Sequence, residues 1–156
     1  MRAVANTSVI LAFGKLGYLK LLGGVFDKIV IGEFVFEEVK DSEVLAEVSG
    51  LIQTGFVEVT KAARTDLLDL LSSLGKGESE TIALASELKA DFVLLDDLKA
   101  RKIARKLGME VMGTLAVLKV LIHRGSITES PENLCKRLID QGFWIDEKLC
   151  IKILEE

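Results

Sequence analysis

The chain carries a single histidine and two cysteines among 156 residues. His123 alone cannot build a His-based catalytic triad, and Cys135 and Cys150 lie far from any Cys-x-x-Cys zinc or redox spacing. Each cysteine reads as a small buried apolar group, and His123, which follows the apolar run Val117 to Ile122, as a helix-end residue. With one proline, no repeat and no low-complexity stretch, nothing marks a linker, so residues 1–156 read as a single domain. No apolar run has the length to cross a membrane, and Asn6-Thr7-Ser8 interrupts the opening stretch too early for a cleavable signal peptide. A soluble cytoplasmic protein is the expectation. Positive charge is also in deficit, at a formal net −4, which excludes a wholly basic nucleic-acid binder but leaves room for a local basic patch.

What the chain does have is 49% hydrophobic and 28% charged residues, enough to bury a core under a solvated exterior. Short apolar runs alternate with helical periodicity. Ala3 to Ala5 breaks at the helix-capping types Asn6, Thr7 and Ser8, and a helix follows to Gly14; Leu16 to Leu22 reads as a second short helix. Ile29 to Ile31 predicts a strand, and Glu33 to Lys40 a helix continuing through Asp41 to Gly50. Val57 and Val59 flank Glu58 in a strand, and Ala62 to Leu74 is helical, interrupted at Gly75-Lys76-Gly77 and restarting at Glu78. Phe92 to Leu95 and Glu110 to Met112 are strands; Ala100 to Leu107, Thr114 to His123, Ser130-Pro131 to Ile139 and Glu147 to Leu154 are helices. This alternation predicts an α/β chain with a parallel sheet covered on both faces.

Ligands in such sheets gather at the carboxyl ends of strands, where Asp96 and Asp97 end an apolar run. Asn6 ends the first strand in the same way, and can either cap the following helix or offer its carbonyl oxygen to a metal. In the helix from Glu78, the stripe Thr81, Ile82, Leu84, Ala85 and Leu88 places Glu78 inward and Glu80 near Glu87 on the solvent side. Glu78 equally suits the helix dipole. Glu38, beside Val35 and Val39, borders the buried side of its helix, where a partner-facing role is an equal alternative. Several carboxylates at one edge repel unless a cation lies among them, and a hard Mg²⁺ or Mn²⁺ ion suits a site without His or Cys. Such an ion activates water and stabilises charge on a phosphoryl group. Lys99, Arg101, Lys102, Arg105 and Lys106 offer phosphate contacts, or simply a solvated helix face.

These motifs, taken together, resemble the PIN-domain family, and particularly its compact prokaryotic members related to the VapC-type toxins of VapBC toxin–antitoxin pairs. Ala5-Asn6-Thr7-Ser8 is similar to the family's opening Asp-Thr-Ser, and Val35-Phe36-Glu37-Glu38-Val39 to its second acidic motif. Gly77 to Ala85 looks like the third, and Leu94 to Arg101, with Gly113-Thr114-Leu115 downstream, like the fourth. The resemblance implies a three-layer α/β/α sandwich with a central parallel sheet of four to five short strands. It also implies one or two Mg²⁺ or Mn²⁺ ions, metal-dependent RNA cleavage, homodimers and, for toxins, a small antitoxin in the groove. Carried over by position, the metal and catalytic set is Asn6, Glu38, Glu78 and Asp96 or Asp97. The offset of 18 residues from Glu78 to Asp96 matches the family, and Asp97 serves if the loop differs by one. Lys99, Arg101 and Arg105 would position RNA phosphate. The departure is Asn6, which stands where the family has aspartate and removes one negative charge. A catalytically silent fold that binds RNA or a protein is therefore the competing expectation. Phe143, Trp144, Leu149, Ile153 and Leu154 form either a dimer or antitoxin surface, or core.

Overall fold

The computed structural model describes residues 1–156 apart from the side chain of Thr65. Five strands, β1 (Arg2–Ala5), β2 (Lys28–Gly32), β3 (Val57–Thr60), β4 (Phe92–Leu94) and β5 (Val111–Met112), form one parallel sheet in the order β3-β2-β1-β4-β5. The strands are nearly all apolar because both faces are covered. Ala3, Ala5, Ile29, Ile31, Val57 and Leu94 point to one face, under α1 (Thr7–Leu16), α3 (Ser42–Gln53), α7 (Thr114–His123), α8 (Pro131–Asp140) and α9 (Glu147–Glu155). Val4, Val30, Val93 and Leu95 point to the other, under α4 (Thr65–Leu70), α5 (Lys76–Leu88) and α6 (Leu98–Lys106). The result is the α/β/α sandwich that the sequence pattern predicts.

From β1 the chain moves outward to β2 and β3, then returns across β1 to lay down β4 and β5 on the other side. Connections therefore diverge between β1 and β4, which is where open parallel sheets form their ligand crevice.

Several expected boundaries shift. The single helix expected from Glu33 to Gly50 is two, α2 (Glu33–Glu38) and α3, because the Asp41 carboxylate accepts from Glu43 N and Val44 N, each at 3.1 Å, and starts a new helix. Gly17, at φ +79°, stops α1, and the expected helix from Leu16 to Leu22 is a 3-10 segment, Leu19–Gly24. Gly75 caps α5, which begins at Lys76 instead of Glu78.

The cysteines are buried, as expected, but the expectation of two separate apolar groups is corrected: Cys135 of α8 and Cys150 of α9 form a disulfide. The α8–α9 hairpin brings them together, and closing a loop of 15 residues stabilises the fold by about 3 kcal/mol in the chain-entropy model. Leu154 is core, Phe143 and Ile153 are half-buried, and Trp144 and Leu149 are exposed, so of the terminal apolar set Leu154 alone is fully buried. His123 ends α7 as expected, and among the described residues no helix is long and apolar enough to cross a membrane.

α8 is fastened to α1 by Arg137, which donates to Leu16 O at 2.7 Å and to Glu129 at 2.6 Å, while Tyr18 Oη donates to the same Glu129 oxygen at 2.7 Å. Burial pushes the Glu129 carboxyl up, but the bonds from Tyr18, Arg137 and Asn133 outweigh it and leave the group below its ordinary value of 4.5. A depressed folded pKa stabilises above the unfolded value, and that stabilisation is lost as pH falls through the folded one. Thermal melts of Glu129→Gln should therefore show a deficit against the wild type at pH 7 that shrinks as pH falls below 4.5.

Candidate active site

Asn6 follows β1 directly, and its backbone N–H donates to Leu94 O at 3.0 Å, placing it beside the end of β4. It occupies the cap position of α1, yet its side chain makes no capping bond, although the residue is only 6% exposed. The amide is thus buried at a strand end without the local role that would explain it. Thr7, the first residue of α1, donates its hydroxyl to Glu38 Oε1 at 2.8 Å, which draws the last residue of α2 toward β1. Gly77 in the first turn of α5 completes the arrangement. A Cβ there would stand 2.7 Å from Glu38 Oε1 and 2.9 Å from Asn6 Oδ1, so the two oxygens converge on space that only glycine leaves open.

Across the crevice, Asp96 is held at both oxygens: Thr114 N donates to Oδ1 and Thr114 Oγ1 to Oδ2, each at 2.7 Å. This ties the end of β4 to the first residue of α7, and a second lone pair on each oxygen remains for another ligand. Asp97 does a different job. It is exposed, and its carboxylate accepts from Ala100 N at 2.9 Å as the N-cap of α6.

Of the two α5 glutamates, the expected orientation is reversed for Glu80. Its oxygens accept from Phe34 N at 3.1 Å and Val35 N at 3.2 Å, satisfying first-turn donors of α2, and its carboxylate fills the space beside Gly32 that a Cβ would need. Burial raises the Glu80 pKa against those two bonds, and the charges of Glu33 and Glu37 push the same way. Glu78 is half-buried with its carboxylate turned back beside Gly75. The periodicity misplaced Glu80 because α5 packs on α2 as well as on the sheet, so it has two buried sides and not one stripe.

Among the described residues no group of three or more His, Cys, Asp or Glu side chains is arranged to hold a metal. The set Asn6, Glu38, Glu78, Asp96 and Asp97 is distributed over several local environments. It resolves into an oxygen pair, Asn6 with Glu38, and a separately braced Asp96, while Glu78 and Asp97 have local environments of their own.

The basic stretch divides as well. Lys99 Nζ donates to Ser73 O at 3.2 Å and tethers α6 to the loop before α5. Arg101 reaches the Asp96 edge: a Cβ on Gly113 would stand 3.0 Å from Asp96 Oδ1 and 3.3 Å from Arg101 Nη1, and Arg101 Nε is buried without a partner. Lys102, Arg105 and Lys106 are exposed. Thr7, Gly77 and Thr114 are the functional candidates that residue-by-residue reasoning passed over. Each lies inside a recognised motif but is of a type ordinarily read as a cap or a breaker.

A family model described as PIN domain matches residues 2–156. Comparison with curated proteins finds no match.

Glu80→Ala would leave two partly buried donors of α2 unsatisfied. Urea denaturation should show a loss of roughly 1–3 kcal/mol, with a smaller loss for Glu80→Gln, which keeps one acceptor. Wild-type stability in Glu80→Ala would contradict the bracing role.

Proposed function

Because the chain belongs to the PIN-domain family, we propose that it is a metal-dependent endoribonuclease acting at the carboxyl edge between β1 and β4. The observation that carries this reading is the convergence of Asn6 Oδ1 and Glu38 Oε1 over Gly77, with the Asn6 amide making no cap. The donor set fits a hard cation, since it consists of oxygens and leaves room where a side chain would intrude. Asn6 and Glu38 would hold Mg²⁺ or Mn²⁺, with Asp96 contributing from the neighbouring strand. When bound, the ion would supply an acidified water and a counter-charge for the phosphoryl group.

The protein's own groups prepare that edge. The Thr7 hydroxyl holds the Glu38 rotamer, and Thr114 holds both oxygens of Asp96, so neither carboxylate must be ordered when RNA arrives. Arg101, whose Nη1 lies beside Gly113 near Asp96, would meet a phosphate oxygen, and Arg105 would extend the exposed basic face of α6. Service as the toxin of a toxin–antitoxin pair, with a small antitoxin over the groove and a homodimeric assembly, is the finer proposal that the VapC-like motifs support.

A second reading has its own observation. With Asn6 neutral and no three-carboxylate group among the described residues, the same edge suits a silent module that binds RNA or a protein.

Cleavage of RNA in Mn²⁺, with an EDTA control, separates the two. The nuclease reading predicts metal-dependent cleavage by the wild type, loss to background in Glu38→Gln, and metal affinity about tenfold higher in Asn6→Asp, because ligand charge tunes affinity. Absence of cleavage by both the wild type and Asn6→Asp, with RNA retained in a steeply salt-dependent complex, would establish the silent reading instead.

A further inference from the structure

We propose that the cleft between α2, α4 and α5 is a nucleotide pocket, which takes an unstacked guanine of the RNA against Phe34 and its phosphate against Lys61 and Lys76. The inference rests on the RNA reading above and adds base selectivity to it.

The cleft encloses about 560 Å³, within the usual range for small-ligand sites. Phe34, Leu68 and Leu74 give it an apolar body, and two lysines and the carboxylates of Glu33, Glu37 and Glu80 also line it. It adjoins the candidate active site through two shared elements. Lys76 and Glu80 line the cleft from the same first turns of α5 in which Gly77 faces Asn6 and Glu38, and Phe34 and Glu37 line it from the helix that ends in Glu38.

The charges in the cleft leave one another free. Among the described residues no ion pair joins Lys61 or Lys76 to any carboxylate, and the Lys76 ammonium lies 5.7 Å from the Phe34 ring centroid instead. Unspent charges of both signs around an apolar wall call for a ligand that carries a flat apolar face, hydrogen-bond donors and an anion. A nucleotide has all three. A cationic peptide would answer the three carboxylates but leave the two lysines opposed, and an uncharged apolar ligand would leave every charge unanswered.

The base follows from the donors. Guanine presents two adjacent N–H groups, N1–H and N2–H, on its Watson–Crick edge, which match the two oxygens of one carboxylate; cytosine and adenine each present an amino group beside an acceptor. Glu33 and Glu37, exposed and one turn apart on α2, line the cleft with carboxylates that no hydrogen bond or ion pair engages among the described residues, and either can turn both oxygens to this edge. Recognition of a splayed base by stacking and edge bonds is how single-stranded RNA is generally read.

Calorimetric titration of the intact protein with 5′-GMP and 5′-CMP in EDTA reads the pocket apart from cleavage. GMP should bind at least about tenfold more tightly than CMP, the scale of one bidentate base contact. Phe34→Ala and Lys76→Ala should weaken both nucleotides, whereas the double variant Glu33→Gln and Glu37→Gln, with its fold checked by circular dichroism, should erase the preference for GMP. Glu38→Gln should leave GMP binding unchanged. GMP binding alongside absent RNA cleavage would retain the pocket and remove the nuclease reading. No GMP binding, equal binding of GMP and CMP, binding that survives both Phe34→Ala and Lys76→Ala, or an arginine-rich peptide bound in place of GMP would overturn the proposal.

Discussion

The backbone bond from Asn6 N to Leu94 O continues the pairing of β1 with β4 one residue beyond the strand, and it decides which side chains can meet at the carboxyl edge. Since β1 is the middle strand and the chain departs from it in both directions, helices leave the sheet on opposite sides there. The gap between them is polar because the strand ends bring peptide groups that the sheet leaves unpaired. Asn6 lies one residue beyond β1 and Asp96 two beyond β4, with Glu38 and Gly77 beside Asn6.

Glycine supplies the second constraint. Glu80 fills the space beside Gly32, Glu38 and Asn6 fill the space beside Gly77, and Asp96 with Arg101 fills the space beside Gly113. In each case a polar side chain lies where a Cβ would collide with it, so the layers close tightly while carboxylates remain at the edge. Burying a carboxylate costs free energy unless it is hydrogen-bonded, and the two half-buried ones have their donors, Phe34 and Val35 for Glu80 and Thr114 for Asp96, while Thr7 fixes the exposed Glu38. The edge is thus a set of pre-braced oxygens.

How much of this was legible follows from how local each signal is. The strands, their parallel arrangement and the strand-end positions of Asn6 and Asp96 could be read because apolar runs and capping types are properties of a few adjacent residues. The break between α2 and α3 was not, since Asp41 is an ordinary polar residue until its carboxylate meets Glu43 N and Val44 N. Glu80 was misplaced because a helical wheel assumes one buried face, and α5 has two. The Cys135–Cys150 bond depends on a hairpin between α8 and α9 that no spacing rule encodes. Gly77 was visible in its motif, but only the positions of Asn6 and Glu38 show what its missing side chain is for.

The nuclease reading stands or falls on whether two oxygens and a neighbouring carboxylate suffice to hold a cation when the first position is an amide. A crystal soaked in Mn²⁺ and measured at the manganese absorption edge addresses that directly. An anomalous peak within coordination distance of Asn6 Oδ1 and Glu38, on the open side of Gly77, is the predicted result. A soaked crystal with no peak at that edge, or with manganese bound only at remote surface carboxylates, would contradict it.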